Sequence, residues 1–221
     1  MFQQTLAKPT QDAVTTSKAK PYQVGRVMPK KTPVFHQGDN ATHFYKVQSG
    51  VVMTYRLLED SQRQITGFCT AGDYFGMSPD DIYHDTAVTV STSNIISLTM
   101  AAVRANLELQ NELFIRTCGQ LEDAQSMMMT LSKKTAGEKV AAFLLMLAKR
   151  QVRRSSGSVE QIDINLPMSR LDIADYLGLS IETVSRRLTT LKTKGVIELP
   201  SRHRAHVRQM TELKNLAGAL A

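Results

Sequence analysis

The sequence predicts an α+β fold, with an N-terminal antiparallel β-roll, one long helix and a C-terminal winged helix-turn-helix. Three observations carry this reading. Between Val24 and Met100, short apolar runs are broken by turn residues at regular spacing. From Leu113 to Leu131, apolar and small residues recur at alternating steps of four and three. Residues 166–192 then read as two short helices bent at Gly178, and a basic hairpin follows them.

Taken in order, residues 1–22 are rich in Gln, Thr, Ser and Lys, show no periodicity, and are expected as a flexible tail. The roll is expected over 23–104. Residues 44–47, 51–55 and 95–98 suit its strands, while Gly38-Asp39-Asn40, Ser49-Gly50, Glu59-Asp60-Ser61, Ala71-Gly72-Asp73 and Pro79-Asp80-Asp81 suit its turns. A helix is expected from about Ala101 to Ser132, with 105–133 as a dimerisation helix. Its seam is expected on Leu113, Thr117, Gln120, Ala124, Met127 and Leu131, and a second stripe of Phe114, Cys118, Leu121 and Met128 is left to pack on the roll. Residues 134–221 are expected as the winged helix-turn-helix. They begin with a helix from Thr135 to Arg154 that turns Val140, Phe143, Leu144 and Leu147 inward. Lys149, Arg150, Arg153 and Arg154 stand at its C-terminal end, where cations suit the helix dipole. A loop at 155–158 follows, then a strand in which Ile162, Ile164 and Leu166 alternate with polar residues.

In the helical hairpin, Leu171, Ala174 and Leu177 are expected on the buried face of the first helix, and Gly178 supplies the left-handed stop. Ser180 is an N-cap for the second helix, whose buried face is Val184, Leu188 and Leu191. The outer face is that of a DNA-reading helix. Arg186 has the fork to bind guanine O6 and N7, Glu182 accepts from a cytosine or adenine amino group, Ser185 fits against thymine, and Ile181 suits a thymine methyl. Arg187 points about 100° away from Arg186 and suits a phosphate or an internal ion pair. Ser169, Arg170, Thr183, Thr189 and Lys192 are further expected phosphate contacts, as are Arg202 and Arg204 of the wing. That wing is read as strand 196–199, a turn at Pro200-Ser201, and a return over 202–207. His203 and His206 lack a Cys or carboxylate at metal-ligand spacing and are assigned to phosphate contact or exposure.

Charge agrees with the placement of this surface. Residues 133–221 hold 16 Lys and Arg against 8 Asp and Glu, whereas residues 1–132 hold 11 against 12. The C-terminal part alone has the electrostatic footprint of a nucleic-acid binder. No run of eighteen apolar residues and no basic-then-apolar leader is present, so neither a membrane nor secretion is expected and the location is cytoplasmic. Cys69 and Cys118 are read as a buried small hydrophobe and a helix residue rather than a disulfide pair. A metal enzyme built on the roll is disfavoured, because His36, His43 and His84 form no His-x-His pattern with a following Glu.

The runs FYKVQSG at 44–50 with QITGFCTAGD at 64–73, LSKKTAGEKVAAF at 131–143, and the helical hairpin together resemble the Crp/Fnr family of bacterial transcription regulators, most of all its FixK-type branch. The resemblance implies a cyclic-nucleotide-binding-like sensor roll. It also implies a homodimer that binds double-stranded DNA at TTGA-like palindromes, with the family's Glu-x-x-Ser-Arg motif falling on Glu182, Ser185 and Arg186. It further implies an activator that recruits RNA polymerase at low-oxygen or nitrogen-fixation promoters. No cAMP is expected: no Lys or Arg lies between Arg63 and Arg104, and a buried phosphodiester needs a matched cation. No iron–sulfur cofactor is expected either, since residues 1–68 lack cysteine and Ile96 stands where the roll cysteine of oxygen-sensing relatives falls. Ser169 replaces an oxidation-sensitive cysteine of some FixK-type relatives, and Ala124 replaces the acidic residue that weakens oxygen-controlled dimers. A small molecule gating the protein through the roll is the alternative.

Overall fold

A computed structural model describes residues 25–59, 62–152 and 161–218. The expected tail, the Asp60-Ser61 part of one turn, Arg153, Arg154 and the 155–158 loop lie outside the described residues. The roll comprises β1 (Arg26–Met28), β2 (Pro33–Phe35), β3 (Phe44–Ser49), β4 (Val51–Leu57), β5 (Arg63–Thr70), β6 (Tyr74–Phe75), β7 (Thr86–Thr89) and β8 (Ser93–Leu98). They form two antiparallel sheets ordered β1-β8-β3-β6 and β2-β7-β4-β5. Inward-facing Phe35, Val47, Val52, Phe75, Ala87 and Ile95 fill the space between the sheets, as alternation along each strand requires. Gly50 makes the β3 to β4 corner possible: its φ is 89°, and a Cβ there would lie 2.6 Å from the Ser93 backbone.

The helix expected from Ala101 to Ser132 is broken. A short α1 (Met100–Arg104) precedes α2 (Leu107–Lys133), because Asn106 leaves helical geometry and its Oδ1 caps the Leu109 N–H at 3.0 Å. An asparagine competes for backbone in this way and favours a fresh start over an uninterrupted helix. After α2 the chain turns at Lys134, and Thr135 and Glu138 exchange cap bonds to open α3 (Ala136–Val152). The rest is β9 (Ile162–Asn165), α4 (Arg170–Leu177), α5 (Ile181–Thr193), β10 (Ile197–Ser201), β11 (Arg204–Val207) and α6 (Met210–Leu216), with the sheet ordered β10-β11-β9.

The seam register needs correction. Leu113 packs on Phe44, Tyr74 and Leu98, Gln120 donates to the Tyr74 carbonyl at 2.8 Å, and Met127 is only 8% exposed within the core. Leu131 is partly buried against that same core, whereas Thr117 and Ala124 remain exposed. The free apolar line is Phe114, Leu121 and Met128, exposed at 71%, 58% and 66%. The stripe left for the roll therefore faces outward, while Leu113, Gln120 and Met127 of the expected seam turn toward the chain's own roll and core, about 100° around the helix.

Three further expectations change. Leu171 is 48% exposed, and Ile173 takes its place beside Ala174 and Leu177. On an ideal helix Leu171 sits about 120° from Leu177, off the buried arc. The wing turn is at Arg202-His203 rather than Pro200-Ser201. Pro200 falls instead where the β10 to β11 register shifts between Glu198 and Ser201, a place that needs no ladder donor. Arg150 is no solvated helix end. Its guanidinium donates to the Phe68 carbonyl at 2.6 Å, meets Asp123 at 3.1 Å and lies 3.6 Å from Asp73, joining α3 to α2 and the roll.

Candidate nucleic-acid interface

One glycine sets the angle between α4 and α5. Gly178, at φ 61° and ψ 47°, donates its N–H to the Ala174 carbonyl and ends α4. Ser180 Oγ then accepts the Thr183 N–H at 3.2 Å and starts α5. Val184, Leu188 and Leu191 bury one face of α5 in the core shared with α3 and α4. The opposite face is open, and it carries Glu182, Ser185, Arg186, Arg187, Thr189 and Lys192, with Ile181 at its N-terminal end.

The chemistry of this face is already set. The Glu182 carboxyl is held below its ordinary value by its own backbone N–H and the Ser180 hydroxyl, with Arg186 adding to the effect. It stays an ionised, acceptor-only group. Arg186 has no ion-pair partner among the described residues, so its fork is uncommitted. Arg187 likewise forms no internal ion pair there, and it runs beside Gly137 at the start of α3.

Two expected phosphate donors have other duties. Ser169 caps α4, and its hydroxyl lies 2.7 Å from Asp172 Oδ2 while accepting the Asp172 N–H at 3.1 Å. A hydroxyl has one proton to give, and Asp172 takes it. Thr189 Oγ1 donates back to the Ser185 carbonyl at 3.0 Å, the usual local competition of a mid-helix threonine. Thr183 is partly exposed and shares a 3.0 Å contact with the Ser180 hydroxyl. His206 Nδ1 sits 3.1 Å from Asp163, and His203 Nδ1 lies 3.2 Å from the Leu166 carbonyl, so both rings have partners within the wing.

Arg170 and the wing form a second basic locus. Arg202 and Arg204 are exposed on the β10 to β11 turn and β11. Arg170 Nη1 is buried without a hydrogen-bond partner. Burial, with the positive charge of Arg202 beside it, holds the Arg170 guanidinium below its ordinary pKa.

Arg63 is a positioning residue that sequence reasoning missed. Its Nη2 bonds Asp172 at 2.9 Å and Asp175 at 2.6 Å, tying β5 to α4 across more than a hundred residues of chain. No local signal marks such a pair. Because all three side chains are partly solvated, Arg63→Ala is expected to lower unfolding stability by only about 1 kcal/mol after screening. It should also speed amide hydrogen exchange in α4. Unchanged α4 exchange would show that the clasp does not hold the reading unit.

The comparisons with known proteins cover most of the chain. Residues 26–108 match the model of the cyclic nucleotide-binding domain, and residues 138–216 match that of the Crp-like helix-turn-helix domain. The nitrogen fixation regulation protein FixK of Azorhizobium caulinodans is 38% identical over 194 residues, covering 86% of this chain and 77% of that protein. FixK of Bradyrhizobium diazoefficiens is 39% identical, covering 75% and 70%. The solved structure of FixK2 from Bradyrhizobium japonicum superimposes with a TM-score of 0.76 at 31% identity, over 90% of this chain and all of that one. With its open α5 face, its wing and these relatives, the chain is similar to the FixK-type proteins and belongs to the Crp/Fnr family of transcription regulators.

Proposed function

We propose that this protein is a cytoplasmic, homodimeric transcription activator that binds TTGA-like palindromes. In this reading Glu182, Ser185, Arg186 and Ile181 face bases, while Arg170, Thr183, Arg187, Lys192, Arg202 and Arg204 face phosphates. The roll occupies 23–104, the dimerisation helix 105–133 and the DNA-binding unit 134–221. RNA polymerase is the partner at the promoter; the similar FixK proteins, named for nitrogen fixation regulation, support nitrogen-fixation promoters, and the family resemblance adds low-oxygen respiration as the other regulon. The observation that carries the reading is the α5 surface, where an ionised acceptor, a hydroxyl and an uncommitted guanidinium share one open face beside a basic wing.

Two recognition helices must enter successive major grooves, which asks for two-fold symmetry. The exposed line of Phe114, Leu121 and Met128, flanked by Thr117 and Ala124, is the face on which a second copy docks. Among the described residues no helix is long and apolar enough to cross a membrane.

The protein acts without cAMP in this reading. The cavity of about 270 Å³ between the roll and α2 is lined by Thr54, Thr66, Asp85, Gln120, Asp123 and Arg150 among others. Its cation, Arg150, is already engaged by Asp123 and the Phe68 carbonyl. Asp85 is paired with Arg56 at 3.1 Å, and this pair supplies no free cation for a buried phosphodiester.

Binding to a duplex with the palindrome, measured against a scrambled duplex across a salt series, tests the function. Specific affinity should fall with log K declining by about 0.9 for each phosphate neutralised. Equal binding to both duplexes, or affinity indifferent to salt, refutes it.

A further inference from the structure

The turn from α2 to α3 shelters a cavity that DNA recognition does not use. It has a volume of about 330 Å³ and lies between the last turns of α2, the body of α3 and the residues that close α6. Its floor is apolar and rich in methionine: Met127 and Leu145 are buried, and Ala142 and Met146 pack partly buried against the same core. Thioether side chains adapt to flexible apolar bodies better than branched ones do.

The lining is not neutral. Lys134, Lys149, Arg150 and Asp123 all reach it. Arg150 and Asp123 satisfy each other at 3.1 Å. Glu138, the carboxylate near Lys134 and Gly218, is occupied by the Thr135 amide and hydroxyl. Lys134 donates to the Ala217 carbonyl, and its charge adds to the Thr135 bonds that hold the Glu138 carboxyl below its ordinary value, so Lys134 has a counter-charge. Lys149 is exposed and has no ion pair among the described residues. The Lys149 ammonium therefore stands without a counter-charge among the described residues, beside an apolar floor.

We propose that this cavity binds a medium-chain carboxylic acid, its carboxylate met by Lys149 and its alkyl body laid over Met127, Ala142, Leu145 and Met146. The volume lies at the lower end of small-molecule sites, about 300 to 1,000 Å³, and suits a body of about ten carbons. A neutral or cationic amphiphile of the same length lacks the charge match. The occupant touches both α2 and α3, so it favours one angle between the seam helix and the DNA-binding unit. This regulatory step rests on the dimeric DNA-binding function proposed above, whereas the binding site itself does not.

The test uses the full chain with decanoate below its micelle concentration, followed by calorimetric titration and thermal unfolding. Decanoate is expected to bind saturably with one site per chain and to raise Tm, since a ligand selective for the native state stabilises it. Decanol and decyltrimethylammonium are expected to bind at least about tenfold more weakly. Lys149→Glu, an exposed change that leaves the core intact, should weaken decanoate by about tenfold, and Ala142→Phe should block the cavity. Absence of saturable binding overturns the proposal. So does equal binding of the cationic amphiphile, or affinity unchanged in Lys149→Glu. Operator affinity is then measured with and without decanoate. A shift supports the coupling and no shift overturns it, while failure to bind the operator even without decanoate counts against the DNA-binding reading alone.

Discussion

Arg186→Ala is expected to erase preference for the guanine of a TTGA-like half-site, at a cost of about 1 to 3 kcal/mol per half-site. Its guanidinium stands on the open face of α5 without an internal ion pair among the described residues, so removing it disturbs no folded-state bond there. The loss should fall on specific binding, with binding to scrambled DNA weakened far less. Arg187→Ala is the internal control: as a phosphate contact it should weaken all sequences alike and flatten the salt dependence by roughly one ion per half-site. A binding series across single-base changes in the half-site separates the two. If Arg187→Ala removes guanine discrimination while Arg186→Ala preserves it, the assignments of Glu182 and Ser185 fall as well.

The second large effect belongs to α2. Leu121→Glu places two carboxylates against each other across the proposed two-fold axis and should yield monomers by sedimentation, with folding stability nearly unchanged because Leu121 is 58% exposed in the single chain. Operator affinity should then drop to that of one half-site. Met127→Glu is expected to behave differently. Met127 is buried in the chain's own core, so a charge there should lower unfolding stability by several kcal/mol, about the 2 to 5 of a core truncation or more. Dimers that survive Leu121→Glu, together with a stably folded monomer from Met127→Glu, would restore the register first expected from the sequence.

That register shows where sequence stops being sufficient. Gly178, Ser180 and the Val184, Leu188, Leu191 triplet were legible because each acts within a turn or two of chain, and α5 follows from them. Along α2, two neighbouring heptad lines are both serviceable, Leu113 with Gln120 and Met127, and Phe114 with Leu121 and Met128. Periodicity fixes the spacing of a stripe but not which stripe the roll occupies. Only the contacts of Leu113 with Phe44 and Tyr74 decide it. The same limit hides Arg63 and Arg150, whose partners are 109 and 82 residues away at Asp172 and Phe68. The Asn106 break was legible in principle, since an asparagine ahead of Leu107-Glu108 is an N-cap signature. Ser169 and Thr189 have partners that the sequence did not reveal for the converse reason: short hydroxyl side chains find backbone and carboxylate groups within a turn of chain.

Arg150 also makes interdependent parts that look separable. Its charge is supplied by α3, and the groups that make its burial tolerable come from α2 and the roll, through Asp123, Asp73 and the Phe68 carbonyl. A gene fusion joining this roll and α2 to another protein's DNA-binding segment would carry both carboxylates into the junction and leave the cation behind. Losing one member of a buried ionic group is far more damaging than exchanging the whole group for apolar residues. A chimaera with another DNA-binding unit is therefore expected to fold stably only where Asp73, Asp123 and Arg150 are kept together or replaced together, whatever sequence connects the domains.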